Sequence, residues 1–292
     1  MQSALESALA ELVFGPEIAP SDAAGIAAWL TRNEVRGADA QALTRDFPRL
    51  LRYRRLARGN LKQALRDTLP RTLFRLGTVF EPYFAEFLRV APPLSHCLKD
   101  LAPSFLTFIA PRLLADERVP AYLLNLAEHE ALQIEIASLP DQPRPELEGE
   151  LSLDAGVEFI AQARLVRYQW AVHRLPEAED SLELPPAVPV SLLVYRSPEH
   201  EVRYLELGSF AAHLLAGLLV ERRSLRSSLE KAAEVEGQAL DDALLSRAAS
   251  LLAELAERGA LLGKSPSEGP GPAMGCPTPP NQPKLSRFES PP

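Results

Sequence analysis

Apolar residues recur at helical spacing through the first half of the chain. The clearest run covers residues 47–69, where the apolar positions follow one another at intervals of mostly three or four: Leu50, Tyr53, Ala57, Leu61, Ala64 and Leu65. Such spacing places side chains on one face of a helix. Similar patterns occupy residues 3–14, 21–30, 71–76, 80–90, 95–109 and 120–138. Because no strand-like alternation interrupts them, residues 1–139 are predicted to form an all-α bundle.

A proline-rich segment at residues 139–145 separates this region from one with a different pattern. Residues 157–160, 165–172 and 188–195 are rich in β-branched and aromatic side chains, and residues 201–205 alternate between polar and apolar. The sequence Ser-Pro-Glu-His at 197–200 is typical of a turn, which predicts a hairpin. Three helical patterns follow, at residues 209–220, 225–236 and 241–258. Strands followed by short helices predict a winged-helix-like α+β domain over residues 146–263.

Composition supports an α+β protein of two domains with a non-globular end. The 292 residues are 46% hydrophobic and 24% charged, which is the balance of a globular chain. Residues 264–292 are rich in proline and poor in apolar side chains, so we expect a disordered tail. The net charge of −8 argues against a general affinity for nucleic acid or anionic membrane. The N-terminus lacks the pattern of a signal peptide and no long apolar run occurs, so the expected compartment is the cytoplasm.

Catalytic and metal-binding motifs are missing from the sequence. It contains no GxSxG, P-loop, GxGxxG or HExxH pattern, and Cys97 and Cys276 form no CxxC pair. The one tight cluster of acidic and histidine residues is Glu128-His129-Glu130. Neighbouring helical side chains point in different directions, so we interpret it as an exposed polar face. The chain is therefore predicted to be no enzyme and to bind no metal or cofactor.

The strongest charged feature is a basic segment between Arg45 and Arg75, with ten Lys or Arg against two Asp. Its cations step by three or four residues along one helix, and they could bind nucleic-acid phosphates, dock an acidic protein or face solvent. The nucleic-acid alternative is weakened because no aromatic residues appear interleaved for base stacking. The candidate residues are Arg49, Arg52, Arg54, Arg55, Arg58, Lys62 and Arg66.

The hairpin offers a second candidate site. An edge strand carries main-chain N–H and C=O groups that can pair with an added peptide strand. The alternative is that a helix, or the strand at residues 165–172, covers this edge. The candidate peptide-binding residues are Val190, Leu192, Val194, Tyr195, Val202, Arg203 and Tyr204.

Several positions resemble the HvfC/BufC family, whose N-terminal domain carries a DNA-binding label. They are Tyr53-Arg54, Leu61, Ala64-Leu65, Pro70, Leu76-Gly77, Phe80, Pro92-Pro93, Phe105, Phe108, Tyr122-Leu123, Leu126-Ala127 and Glu130. The family often has Tyr-Gly before the position of Phe105, where this chain has Leu101-Ala102. The resemblance extends over residues 20–260, excludes the proline-rich tail, and rests mostly on helix-packing positions.

The resemblance implies an accessory role. Members are partners of multinuclear non-haem iron enzymes of the TIM-barrel type, which oxidise ribosomally made precursor peptides, as in bufferin-like systems. The accessory subunit is expected to bind the leader of the precursor as an added strand, while the iron resides on the other protein. A DNA-binding regulator that uses the basic helix at residues 45–75 is the alternative.

Overall fold

The computed structural model describes residues 4–15, 23–93, 97–141 and 151–264. It confirms an α+β protein with a helical N-terminal region. Contacts divide the chain into two compact units, one formed by residues up to 131 with 176–182, the other by the rest. The expected boundary segment, 139–145, lies partly outside the described residues, as do Ser21, His96, Cys276 and nearly all of the predicted tail.

The described residues of the first half of the chain form seven α-helices. They are α1 (Ala4–Phe14), α2 (Ala23–Arg32), α3 (Gly37–Thr68), α4 (Pro70–Leu76), α5 (Phe80–Val90), α6 (Leu101–Ala115) and α7 (Leu123–Ser138). Residues up to 131 of α7 belong to the first unit and the following ones to the second. Gly77 ends α4 with a positive φ of 52° and a main-chain bond to Leu73, as its C-cap position predicts.

Two of these helices have bounds that differ clearly from the predictions. The structure begins α3 at Gly37, ten residues before the predicted start, and Pro48 lies inside the helix. The apolar repeat continues upstream through Leu43 and Phe47, both buried, which explains the extension. Likewise α6 starts later than predicted and passes through Pro111 to Ala115. Proline usually marks a helix boundary, so the pattern alone placed these ends wrongly.

The first unit has an apolar core that is rich in aromatic rings. Buried residues of α1, α2 and α3 pack together, with Trp29 and Phe47 in an edge-on contact at 5.7 Å between ring centroids. A second group of rings joins α5 to α6, where Phe87 contacts both Phe105 at 5.3 Å and Phe108 at 5.5 Å. Edge-on aromatic pairs of this kind add to the stabilisation that comes from area burial.

The described part of the second unit contains the end of α7, two small sheets and three further helices. Strands β2 (Arg164–Tyr168), β3 (Val190–Arg196) and β4 (Val202–Leu207) form an antiparallel sheet in the order β2-β3-β4. Strand β1 (Val157–Phe159) pairs separately with β5 (Leu261–Lys264), which the sequence did not predict. The helices α8 (Ser209–Leu215), α9 (Leu225–Val235) and α10 (Asp242–Glu257) confirm the predicted order, and a π-helical turn, Ala216–Val220, extends α8.

A candidate peptide-binding edge and a basic helix face

The hairpin between β3 and β4 closes through a three-residue loop. The amide of His200 donates to the Ser197 carbonyl at 3.0 Å, and the Ser197 amide donates to the Glu201 carbonyl at 2.8 Å. His200 adopts a left-handed conformation with φ of 65°. This is the turn that the Ser-Pro-Glu-His sequence predicts, and it fixes the register in which Arg203 stands opposite Tyr195.

Strand β3 lies in the middle of its sheet, which corrects part of the predicted site. It pairs with β2 on one side and with β4 on the other, so its main-chain groups already serve the two ladders. The side chains of its candidate residues are also buried. The strand at residues 164–168 therefore covers this part of the hairpin, and no added strand can pair here with the following residues: Val190, Leu192, Val194 and Tyr195.

Strand β4 is an edge of the sheet in the described part of the chain. It pairs with β3 along one side, and no described strand lies along its other side. In an antiparallel ladder, main-chain groups point alternately toward and away from the neighbouring strand. The bond between Ser197 and Glu201 sets this alternation, so the main-chain groups of Val202 and Glu206 point away from β3.

One face of the sheet carries the side chains of Arg196, Val202, Tyr204 and Glu206. The Arg196 guanidinium is buried and donates to the carbonyls of Ala137 at 3.1 Å and Leu139 at 2.6 Å, at the end of α7. The Gln133 side chain of the same helix donates to the Tyr204 hydroxyl. These bonds hold the last turns of α7 against this face.

Glu206 connects the edge strand to the segment between β2 and β3. It accepts a hydrogen bond from Arg174 at 2.7 Å and lies 3.1 Å from His173 Nε2. The hydrogen bond from Arg174 is the main cause that lowers the pKa of the Glu206 carboxyl below its ordinary value. The carboxylate is thus held in its charged form beside the outer edge of β4.

The opposite face of the sheet packs against the helices. Leu193, Tyr195 and Leu207 join the same apolar core as buried residues of α8, α9 and α10. Helix α10 also contacts α8, since the Arg247 guanidinium lies 5.3 Å from the centre of the Phe210 ring. Both faces of β3 are therefore covered, and the accessible main-chain groups of the sheet are confined to its two edges.

The other edge strand, β2, has neighbours along its flank. The π-helical turn at Ala216–Val220 packs against both β1 and β2. Gly217 allows this turn to approach α9 closely, because a Cβ there would lie 2.6 Å from the Ser228 hydroxyl. Strand β4 also has described neighbours, since α8 packs against it and His173 and Arg174 contact Glu206.

The basic helix α3 does not present its cations as a uniform stripe. Arg54 lies on the buried side, and its guanidinium donates to the carbonyls of Leu12 and of Gly15, the latter at 3.0 Å. Arg58 is half-buried and also donates to Gly15, at 3.2 Å. The Leu12 carbonyl belongs to the last turn of α1 and Gly15 follows it, at the helix end where carbonyls lack intrahelical donors. Arg54 therefore does not lie on the exposed face with the other candidate residues.

The opposite side of α3 is exposed and mixes basic with apolar side chains. Tyr53 and Leu56 are 59% and 66% exposed, although Tyr53 was predicted to face the core. Arg49 and Arg52 are exposed close to them on the helix. An aromatic ring is thus interleaved with arginines, contrary to the prediction. We call the exposed face of α3 formed by Arg45, Arg49, Arg52, Tyr53 and Leu56 the basic helix face.

The remaining candidate cations of α3 lie beside this face or away from it. Lys62 is 25% exposed and pairs with Glu81 at 2.6 Å, and it stands over the Phe84 ring. Arg55 and Arg66 are exposed. Arg55 lines a cavity of about 410 Å³ together with Arg54, Arg58 and Lys62.

The acidic cluster of α7 has a structural role that the sequence did not reveal. His129 and Glu130 are buried, so their interpretation as an exposed polar face was wrong. Glu130 accepts from the amides of Arg71 and Thr72, both at 3.0 Å, and from the Arg71 side chain at 3.1 Å. It thereby satisfies the free amides at the N-terminus of α4. Burial raises the pKa of the neighbouring Glu128.

Two kinds of catalytic arrangement are relevant to residues 4–15, 23–93, 97–141 and 151–264: a metal-binding cluster and a Ser-His-Glu group. No group of three or more His, Cys, Asp or Glu side chains there could hold a metal ion. Ser209, His213 and Glu236 lie together, but the Ser209 hydroxyl donates to Glu236, and His213 meets both partners through Nδ1. A serine nucleophile needs the imidazole as its own acceptor. No helix in this part of the chain has the length and apolarity of a membrane span.

Comparison with known proteins adds one match. Residues 161–256 match the family described as the HvfC C-terminal domain. The matched segment contains β2, β3, β4, α8 and α9 and nearly all of α10. No curated protein sequence matches the chain.

Proposed function

The HvfC C-terminal domain at residues 161–256 supports assignment of this chain to the HvfC/BufC family, and from that premise we propose an accessory role in peptide modification. In this proposal the chain is non-catalytic. It binds the leader of a ribosomally made precursor peptide and presents the precursor to a multinuclear non-haem iron enzyme. The iron and the oxidation belong to that partner.

The observation that carries the proposal is the edge position of β4. Its outward main-chain groups, including those of Val202 and Glu206, form a row that an extended peptide can pair with. The strand is held in place by its ladder to β3 and by the bonds of Tyr204 and Glu206 on one face. A rigid edge reduces the ordering cost of binding, because only the peptide loses conformational freedom.

The basic helix face of the first unit is the proposed surface for the partner enzyme. Arginine and tyrosine are enriched among residues that dominate protein–protein affinity, and here they surround the exposed Leu56. Among the three alternatives for the basic segment, an acidic protein surface with an apolar centre fits this mixture best.

The test of leader binding uses the precursor leader encoded beside the iron enzyme of the same genome. Its affinity for the full chain is measured by calorimetry with a series of leaders that are N-methylated at one amide each. Only every second amide of an added strand points toward β4, so affinity should fall with a period of two along the peptide. Uniform sensitivity, or no binding at micromolar concentrations, would contradict the proposal.

The role of the partner is tested by co-purification of this chain with that iron enzyme, with and without the precursor. We expect a complex at micromolar concentrations, and oxidation of the precursor only when both proteins are present. Turnover by this chain alone would overturn the accessory role.

A DNA-binding regulator is the second candidate, since Tyr53 stands among exposed arginines. Contacts to phosphates weaken steeply as salt rises. A mobility shift that appears at 50 mM salt and vanishes at 200 mM would favour this function, whereas no shift at low salt removes it.

A further inference from the structure

The edge strand β4 presents different chemistry on its two faces, which restricts the peptide that it can pair with. Arg203 and Leu205 lie on the face that packs against the helices, and Tyr204 lies on the other face. From this arrangement, and resting on the proposed function above, we propose that Arg203 selects an acidic residue in the bound peptide, next to a β-branched or aromatic residue and then an apolar one.

The argument begins with the direct neighbours of an added strand. Residues opposite each other on adjacent strands share a face of the sheet and contact each other through their side chains. A peptide residue opposite Arg203 would thus meet a guanidinium, and one opposite Leu205 would meet an aliphatic side chain that rests on the core. The residue opposite Tyr204 would meet a half-buried aromatic ring, against which β-branched and aromatic side chains pack well.

Arg203 can change partner at little cost. Its guanidinium donates to Glu201, and both side chains are more than half exposed. Exposed ion pairs contribute little net stability because solvent screens them. A peptide carboxylate opposite Arg203 could therefore share or replace Glu201.

The direction of the peptide sets the order of the motif. All three strands of this sheet run antiparallel to their neighbours, and we extend that arrangement to the added strand. The peptide then reads, from its N-terminus, an apolar residue opposite Leu205, a β-branched or aromatic residue opposite Tyr204, and an acidic residue opposite Arg203. Leu-Val-Glu is one such sequence.

The experiment is a selection from a displayed library of random twelve-residue peptides, made with the full chain and separately with its Arg203→Glu variant. Wild-type protein should enrich the apolar, β-branched or aromatic, acidic motif. The Arg203→Glu variant should enrich lysine or arginine at the acidic position and leave the other two positions unchanged. Arg167→Glu is the matched control, because Arg167 is an exposed arginine on the other edge strand, β2. Its selection should resemble that of the wild type.

The enriched peptide is then synthesised with glutamate or lysine at the selected position. Wild-type protein should prefer glutamate by roughly fivefold and Arg203→Glu should prefer lysine by a similar factor, the scale of one cross-strand charge pair. Circular dichroism establishes that both variants are folded. Enrichment without an acidic preference, or a preference that Arg203→Glu leaves unchanged, overturns this inference and leaves the proposed function standing. If no peptide is enriched by folded protein, the peptide-binding edge itself fails.

Discussion

Helix α3 and the β3–β4 hairpin each contain residues that stabilise the fold and residues that are accessible to a partner. On α3 the two groups differ in side-chain orientation, whereas in the hairpin they differ in main-chain pairing. On α3 the side chain decides, because Arg54 is turned inward to the carbonyls that end α1 while Arg52 remains exposed. In the hairpin the main chain decides, because β3 is paired on both sides and β4 on one. A charged residue in a helical sequence therefore does not by itself indicate an exposed binding surface. In a sheet, the order of the strands shows which main-chain groups an added peptide can reach.

Proline substitution separates the two strands most strongly. Val194→Pro removes an amide that belongs to the ladder with β2 and leaves its buried acceptor unpaired, so it should lower the unfolding free energy by about 2–3 kcal/mol. Val202→Pro lies at the first residue of β4, where the amide points away from β3, so its loss of stability should be much smaller. Urea denaturation measures both. Comparable losses would mean that β4 is not an open edge.

Replacing single arginines of α3 by alanine should distinguish its buried side from its exposed side. Arg54→Ala removes the donor described for the Leu12 carbonyl, while the Gly15 carbonyl keeps Arg58, and it should lower the unfolding free energy by about 1–2 kcal/mol. Arg52→Ala, two residues away on the exposed side, should change it by less than about 0.5 kcal/mol. Thermal and urea unfolding of the two variants is the measurement, and similar effects would show that the basic segment is uniform after all.

Charge reversal on the basic helix face should change the affinity for the partner enzyme and leave the stability of the fold largely unchanged. Arg49→Glu combined with Arg52→Glu should weaken the complex with the iron enzyme by about tenfold, since attraction to an acidic surface becomes repulsion. Arg66→Glu, on the same helix but outside the face, is the control and should have little effect. Calorimetry at two salt concentrations checks the result, because screening should reduce the difference. Equal affinities for all three proteins would remove the face from the interface.

The smallest expected effect concerns Glu206. Its folded-state pKa is lowered, so it contributes stability that is complete above the ordinary value near 4.5 and is lost as pH falls through the folded-state pKa. Glu206→Gln should therefore flatten the decline of Tm below about pH 4.5 by a small amount, because the pair with Arg174 is partly exposed. The two Tm curves between pH 7 and pH 3 provide the measurement. A variant whose curve is identical to the wild type would show that this contact contributes nothing.

Local sequence patterns predicted most of the helices and strands but few of the contacts between them. The hairpin, α8, α9 and α10 follow from spacing and turn residues close in sequence. The pairing of β2 with β3 spans a connection of about twenty residues, and Glu130 reaches Arg71 from fifty-nine positions away. Nothing in the local sequence records such contacts. The hairpin was therefore predictable, but four of the seven candidate residues lie on the central strand of its sheet.

The burial of Arg54 could have been predicted from the sequence. Leu43, Phe47, Leu50, Leu61 and Leu65 repeat at helical spacing, and Arg54 falls four residues after Leu50 and seven before Leu61. A repeat extended upstream of residue 47 would have placed Arg54 in line with the core and Tyr53 to one side. The start of α3 at Gly37 and the burial of Arg54 thus both follow from the apolar repeat that extends upstream of residue 47.

The bonds of Arg196 set a limit on how little of the chain can fold alone. Its buried guanidinium takes its acceptors from Ala137, Leu139 and Asp141, and Tyr204 takes a donor from Gln133. A fragment cut to the matched segment 161–256 would lose all four contacts, together with both strands of the smaller sheet. We therefore expect an autonomous C-terminal half to begin at or before Gln133.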